Sequence, residues 1–231
     1  MTERLYDCLE ITDLKDMLNK TKKIYGEKPA YKIKTEDGKY KVFTHREIRD
    51  MVDYLGTALI NLGLKGKRIA IIGQNRYEWE IAYLAVVCGT GIVVPLDKSL
   101  PENELEAIIQ RSEIEAIFYS SKYEETLKKI KYSEKNRLKH LISMDLKVHN
   151  QEIYSQEELV KRGKKLIEEG HREFLDAIEK STNWFFRTKY LYKNVTTTQV
   201  GNVATFLLSD MSDCITGQVI YADNGYNIMG V

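Results

Sequence analysis

The feature that most constrains this fold is an alternation of short apolar runs and amphipathic stretches between residues 44 and 144. RIAIIG (68–73), GIVVP (91–95), IEAIFYS (114–120) and HLISM (140–144) carry scarcely a charge. Such runs mark strands buried on both faces, as in parallel sheets. The stretches between them have helical spacing. Thr44 with Glu47 makes a capping box, after which Ile48, Val52, Leu55, Leu59 and Leu62 recur on one face, and Gly63 stands where a helix ends. Asn75 and Glu78 predict the cap of a second apolar helix running through Cys88. Ser99 predicts an N-cap before Pro101, with Leu105, Ile108 and Ile109 as the apolar face that follows. A further helix falls near 122–131. Strands and helices alternating at this interval imply right-handed βαβ units, hence an α/β fold whose mostly parallel sheet is flanked by helices.

The flanks read differently. An Asp37-Gly38 turn between alternating runs predicts a hairpin, and QEELVKRGKKLIEEG a helix ended by Gly170. From 178 to 193 neither period nor turn chemistry is found. Order resumes where Thr196 and Gln199 form a capping box; Val200, Val203, Ala204, Leu207 and Leu208 give a helix face, QVIYA (218–222) a strand, and Asp223-Asn224-Gly225 a turn.

Charge narrows the function. Lys+Arg total 35 and Asp+Glu 34, so no global field favours nucleic acid or an anionic membrane. The lysines of 122–139 alternate with glutamates as on a solvated face. Cys8, Cys88 and Cys214 are far apart and unpaired in spacing, which suits a reducing cytoplasm. The apolar stretches are too short and glycine-broken to span a bilayer. His45, His140, His149 and His171 are scattered, so no metal site is expected. No serine or cysteine has the surroundings of a nucleophile, and no catalytic residue is assigned. The stripe Tyr77, Trp79, Tyr83 suits a helix packed on a sheet, and Gly89-Thr90-Gly91 suits close packing better than a dinucleotide loop.

Two resemblances cover most of the chain. THREIRDMVDYLGTALINLGLKGKRIAIIGQNRYEWEIAYLAVVCGTGIVVPLDKSLP, with GQNRYEW and VVPLDKSLP as its most specific pieces, resembles the opening of AMP-forming long-chain fatty-acid–CoA ligases. EEGHREFLDA resembles the segment before that family's phosphate loop. The resemblance implies ATP, Mg and CoA, yet IEKSTNWFFRTKY stands where the Ser/Thr/Gly-rich loop would follow, and the family's terminal lysine has no counterpart. It also places Lys98 and Ser99 on a loop near the nucleotide end of CoA. A solvent lysine beside a helix cap is the other reading of that pair.

From Asn194, NVTTTQVGNVATFLLSDMSDCITGQVIYADNGYNIMG resembles the C-terminal end of NADH-dependent enoyl-acyl-carrier-protein reductases, short-chain dehydrogenase/reductase folds. There it forms the last helix, last strand and tail, downstream of the family's NAD loop and its catalytic tyrosine and lysine. Tyr25/Lys32, Tyr132/Lys139 and Tyr154/Lys161 match the spacing of that pair but lie in the ligase-like part, where chance explains them. Tyr221 and Tyr226 read as packing residues.

The expected organisation is therefore a truncated ligase-like subdomain over 1–177, an irregular junction over 178–193, and a reductase-like helix–strand tail over 194–231. Three functions follow. The first is a soluble, cytoplasmic fatty-acid–CoA ligase piece joined to a reductase tail, inactive and without cofactor by itself. The second is an enzyme of either resembled class, using ATP or NADH. The third is a non-catalytic module that self-associates or packs on a ligase or reductase partner.

Overall fold

The computed structural model describes residues 11–35, 37–133 and 137–180, with side chains described to Ala177. Helix α1 (Leu14–Tyr25) starts at Asp13, whose carboxylate accepts the backbone N–H groups of Lys15 and Asp16 at 2.8 and 2.7 Å. Strands β1 (Pro29–Lys34) and β2 (Tyr40–Thr44) pair antiparallel as the predicted hairpin, with Gly38 at φ 79° in the turn. Helix α2 (His45–Asn61) shows both bonds of the capping box: the Glu47 N–H donates to Thr44 Oγ1 at 3.2 Å, and the Thr44 N–H to Glu47 Oε2 at 2.7 Å. Of its predicted face, Ile48, Val52, Leu55 and Leu59 are buried, and Leu62, the C-cap residue, is partly buried.

The main sheet then builds up through β3 (Arg68–Ile72), α3 (Tyr77–Ala85), β4 (Ile92–Leu96), α4 (Glu102–Arg111) and β5 (Ala116–Tyr119). A 3-10 turn, Ser121–Tyr123, leads into α5 (Glu124–Lys131), followed by β6 (His140–Ser143) and β7 (Ile153–Ser155). Helices α6 (Gln156–Glu168) and α7 (Glu173–Lys180) close the described fold, with Gly170 between them at φ 95°. The order is β4-β3-β5-β6-β7, all parallel. Alternation along the strands divides the core in two. Ile69, Ile71, Phe118 and Ile142 face α1, α2, α3, α6 and α7, whereas Ala70, Ile72, Ile117 and Leu141 face Leu105 and Ile109 of α4 and Leu127 and Ile130 of α5. The tyrosine–tryptophan stripe packs as the sequence implied, partly buried against the first cluster with Trp79 stacked on Tyr83 at 5.5 Å.

Four local expectations are corrected. Asn75 and Glu78 do not cap α3: Arg76 is its N-cap residue and makes no side-chain cap, because Glu78 takes the Arg76 guanidinium instead. That helix also stops at Ala85 and passes into a π-helical turn, Val86–Thr90, in which Gly89 takes φ 153° and the Thr90 hydroxyl donates to the Ala85 carbonyl at 2.8 Å. Ser99 is not the N-cap of α4; Pro101 holds that position, and the Ser99 hydroxyl and N–H both donate to Asp97 in a local turn. Helix α7 continues to Lys180, three residues into the stretch that lacks a clear period in sequence. Residues 181–193 and the whole of 194–231 lie outside the described residues. Among the described residues, no helix is long and apolar enough to cross a membrane.

Candidate functional site

The strand order dictates where a ligand site can form. The chain leaves β3 toward β4 on one side and returns across β3 to β5 on the other. At such a switch point the loops after the two strands diverge, and a crevice opens at their carboxyl ends. A cleft of about 390 Å³ lies there. Gln74, Asn75 and Arg76 line it from the β3 loop, Ser120, Ser121 and Lys122 from the β5 loop, and Asp145 from the β6 loop.

Arg76 organises the cleft. Its Nε and Nη2 each donate to Glu78 at 2.7 Å, a bidentate grip, and Nη1 donates to Asp145 Oδ1. The other Asp145 oxygen accepts the Ser121 N–H at 2.7 Å. One guanidinium and one carboxylate thus tie three loops together. Partial burial works to raise the Asp145 pKa, but the hydrogen bonds from Ser121 and Arg76 outweigh it and hold the carboxyl below its usual range. The paired carboxylates, Glu78 first, drive the Arg76 pKa upward.

Gly73 permits the narrow floor: a Cβ there would stand 2.6 Å from Ser120 Oγ. That hydroxyl oxygen is buried and has no hydrogen-bond partner among the described residues. Lys122 is exposed, its ammonium 4.5 Å from the Tyr123 ring. It is the cation of the lining that no carboxylate holds among the described residues. The lining contains no histidine or cysteine, so beside the Arg76–Asp145 pair it offers hydroxyls, amides and one exposed ammonium.

Lys98 and Ser99 lie outside the cleft lining, on the exposed loop after β4. The two places are nevertheless connected, since the Tyr123 hydroxyl donates to the Lys98 carbonyl at 2.7 Å. Sequence reasoning singled out GQNRYEW, which contains Arg76, but missed its partner Asp145. Sixty-nine positions separate them, and no local pattern joins residues so far apart.

Buried charge also collects away from this lining. Lys15 is 1% exposed, donates to the carbonyls of Cys88 (2.7 Å) and Phe174 (3.3 Å), and sits 4.3 Å from the Phe174 ring centre. Burial lowers its pKa to about 7. The same burial pushes the Cys88 thiol up to about 11, which leaves it unreactive. The donors are fully used by main chain and ring, so this is a structural clasp.

ATP and magnesium do not suit the described cleft. A triphosphate needs convergent N–H donors and cations, and here Asp145 already holds the Ser121 N–H and the Arg76 guanidinium.

Residues 18–184 match the family described as AMP-binding enzyme. Residues 165–227 match a second family, described as enoyl-(acyl carrier protein) reductase, so the two matches overlap over 165–184. Long-chain-fatty-acid–CoA ligase 5 of Mus musculus is 32% identical over 76 residues, 32% of this chain and 11% of that protein. The NADH enoyl-acyl-carrier-protein reductase of Synechocystis is 61% identical over 41 residues, 18% of this chain and 16% of that protein. Among solved structures, coronafacic acid ligase from Pectobacterium brasiliense gives a TM-score of 0.55 at 22% identity. A long-chain-fatty-acid–CoA ligase from Archaeoglobus fulgidus gives 0.54 at 20%. Each is covered over 29% of its length by 64% of this chain, and both show the shared fold. The chain therefore spans less than a third of either structure, and under a fifth of the two sequence relatives.

Proposed function

The chain belongs to the AMP-binding enzyme family, and from that premise we propose that it carries the first α/β part of a fatty-acid–CoA ligase joined to a reductase-like end, without acyl-CoA synthesis of its own. The observation that carries this is the cleft at the switch point, whose guanidinium and helix-terminal N–H are both committed to Asp145. Lys122 is left as the cation of the lining to neutralise the phosphates during adenylation, and losing one such group commonly costs orders of magnitude in rate. The sequence IEKSTNWFFRTKY, in the place of the family's phosphate loop, supports the same reading. The proposed organisation is 1–177 ligase-like, 178–193 junction and 194–231 reductase-like. Burial of Leu166 and Phe174 in the core favours assigning the doubly matched segment to the first part, at least through α7. Lys98 and Ser99 are the proposed CoA-facing loop, and the cytoplasm the proposed location.

Purified chain with ATP, magnesium, a long-chain fatty acid and CoA tests this. Neither pyrophosphate nor acyl-CoA should form above background. ATP-dependent acyl-CoA formation would overturn the reading.

The reductase match favours a second reading, in which residues 194–231 bind reductase subunits and the chain acts as a binding module. Co-purification of an enoyl reductase with the full chain, lost on deletion of 194–231, would establish it. Recovery of the chain free of reductase would exclude it.

A further inference from the structure

We propose that His149 is a proton-operated latch on the loop 144–152, which carries Asp145 into the cleft. The proposal concerns the regulation of that loop and does not depend on the fatty-acid reading. His149 Nδ1 accepts the Ser155 backbone N–H at 2.8 Å. The nitrogen that accepts carries no proton, so the ring in this state is the Nε2–H tautomer. The backbone N–H of His149 in turn donates to Glu158 Oε2 at 2.6 Å, and the same carboxylate oxygen stands 3.4 Å from Nδ1. The imidazole nitrogen thus lies between a strand donor and a helix acceptor.

Ser155 is where the loop, the strand and the helix meet. It is the last residue of β7 and the N-cap of α6. Its hydroxyl donates to the Leu146 carbonyl at 2.6 Å and accepts the Glu158 N–H at 3.3 Å. Leu146 and His149, both on the loop, are therefore held by one serine. One residue before Leu146, Asp145 makes the contacts to Arg76 and Ser121 that shape the cleft.

A proton on Nδ1 turns the acceptor into a donor. Two N–H groups then face one another, and the Ser155 N–H loses its partner. The Glu158 carboxylate is near enough to accept the new N–H, so a small rotation carries the ring from the strand to the helix. Histidine is the residue type that makes this exchange between pH 5 and 8. Other titratable groups stand nearby among the described residues. Tyr154 of β7 stands edge-on at 5.4 Å, with His140 of β6 5.7 Å from that same tyrosine, and Lys147 of the loop pairs with Glu157 of α6 at 3.3 Å. Burial lowers the His140 pKa, which favours its neutral form. Acidification thereby frees the Ser155 N–H and moves the hold on the His149 ring from β7 to Glu158 of α6.

Amide hydrogen exchange and long-range 1H–15N histidine spectra of the full chain between pH 5 and 8 test the latch. At pH 8 the spectra should report His149 as the Nε2–H tautomer. On acidification, the Ser155 amide should lose about five- to tenfold of its protection factor, the share an ordinary hydrogen bond supplies. That loss should appear together with the second ring proton of His149 in the spectra. His149→Asn keeps an oxygen acceptor near the Nδ1 position without a titratable proton, so its Ser155 protection should stay flat. Glu158→Gln should retain the pH-dependent loss. Wild-type protection that is equal at pH 8 and pH 5 would overturn the proposal. So would a loss that persists in His149→Asn, or one that vanishes only in Glu158→Gln, where the carboxylate and not the imidazole would be titrating.

Discussion

The Phe174 ring fills the space that a side chain on Gly56 would need. A Cβ at Gly56 would lie 2.1 Å from Phe174 Cε2 and 2.4 Å from Cδ2 and Cζ. Gly56 is interior to α2, where glycine costs about 1 kcal/mol relative to alanine. The chain accepts that cost because the notch seats α7 on the core, with Phe174 fully buried.

Gly56→Ala should therefore destabilise the chain by about 1–3 kcal/mol, as overpacking does, despite its better helix propensity. Phe174→Ala should cost about 3–5 kcal/mol. The double variant should cost less than the sum, since removing the ring makes room for the methyl group. Urea unfolding of the three variants measures the coupling. Strict additivity would show that the two residues do not meet.

Much of this architecture is legible in the sequence because it rests on local chemistry. The capping box Thr44/Glu47, the α2 face and the strands at 68–72, 116–119 and 140–143 all follow from spacing and pattern. β7 escaped notice because it has only three residues, set among polar ones, so neither length nor alternation marks it. The caps of α3 and α4 were misread because Glu78 and Ser99 have stronger partners than a backbone N–H, in Arg76 and Asp97. The cleft itself is a consequence of strand order, which no window of sequence contains. Only Arg76 was within reach, through the family-like stretch around it.

Lys15 gives the chain a stability that rises with pH above neutrality. Burial depresses its folded pKa to about 7, below its ordinary value of 10.5. Between those values the unfolded chain binds the extra proton, so the folded state gains as pH increases. Cys88 works the other way above pH 9, its ordinary value, because its folded pKa is raised to about 11. The window that isolates Lys15 is therefore pH 7 to 9. Wild type should show a higher urea midpoint at pH 9 than at pH 7. Lys15→Met should flatten that difference while leaving the Cys88 and Phe174 carbonyls without their donor, at about 1–3 kcal/mol. If the variant keeps the wild-type slope, Lys15 is not the titrating group.

Arg76→Ala should be most harmful at neutral pH. It removes the guanidinium from Glu78 and Asp145, at side-chain exposures of 32%, 14% and 32%, so the charge-assisted bonds are partly screened. A cost of about 1–2 kcal/mol is expected at pH 7. The Asp145 carboxyl has a lowered folded pKa, so the stability it contributes exists above its ordinary pKa and is lost as pH falls through the folded value. The gap between variant and wild type should narrow as pH falls below 3.8, the ordinary value of the Asp145 carboxyl. A gap of constant size would mean that packing of the arginine stem, not its charge, was lost. Arg76→Lys should behave nearly as badly, since one ammonium cannot reproduce a bidentate grip together with a third bond.

The final prediction concerns the outer edge of β4. Among the described strands it ends the main sheet on the side opposite β7, it reads IVVPL, and Ile92 on it is 54% exposed. An apolar edge of this kind invites pairing with another chain. The Ile92 N–H donates inward to the Lys67 carbonyl at 2.9 Å. Alternation along a parallel ladder then directs the N–H groups of Val94 and Leu96 inward as well, leaving positions 93 and 95 to face outward. Position 95 is proline and has no N–H to offer, so the free edge is interrupted at the residue where it would extend beyond a single donor. Pro95→Val restores that donor and raises β-propensity without adding charge. The variant should show concentration-dependent association by sedimentation velocity at concentrations where the native chain does not gain mass, while far-UV circular dichroism stays unchanged. Equal sedimentation of the two chains would show that Pro95 does not guard this edge.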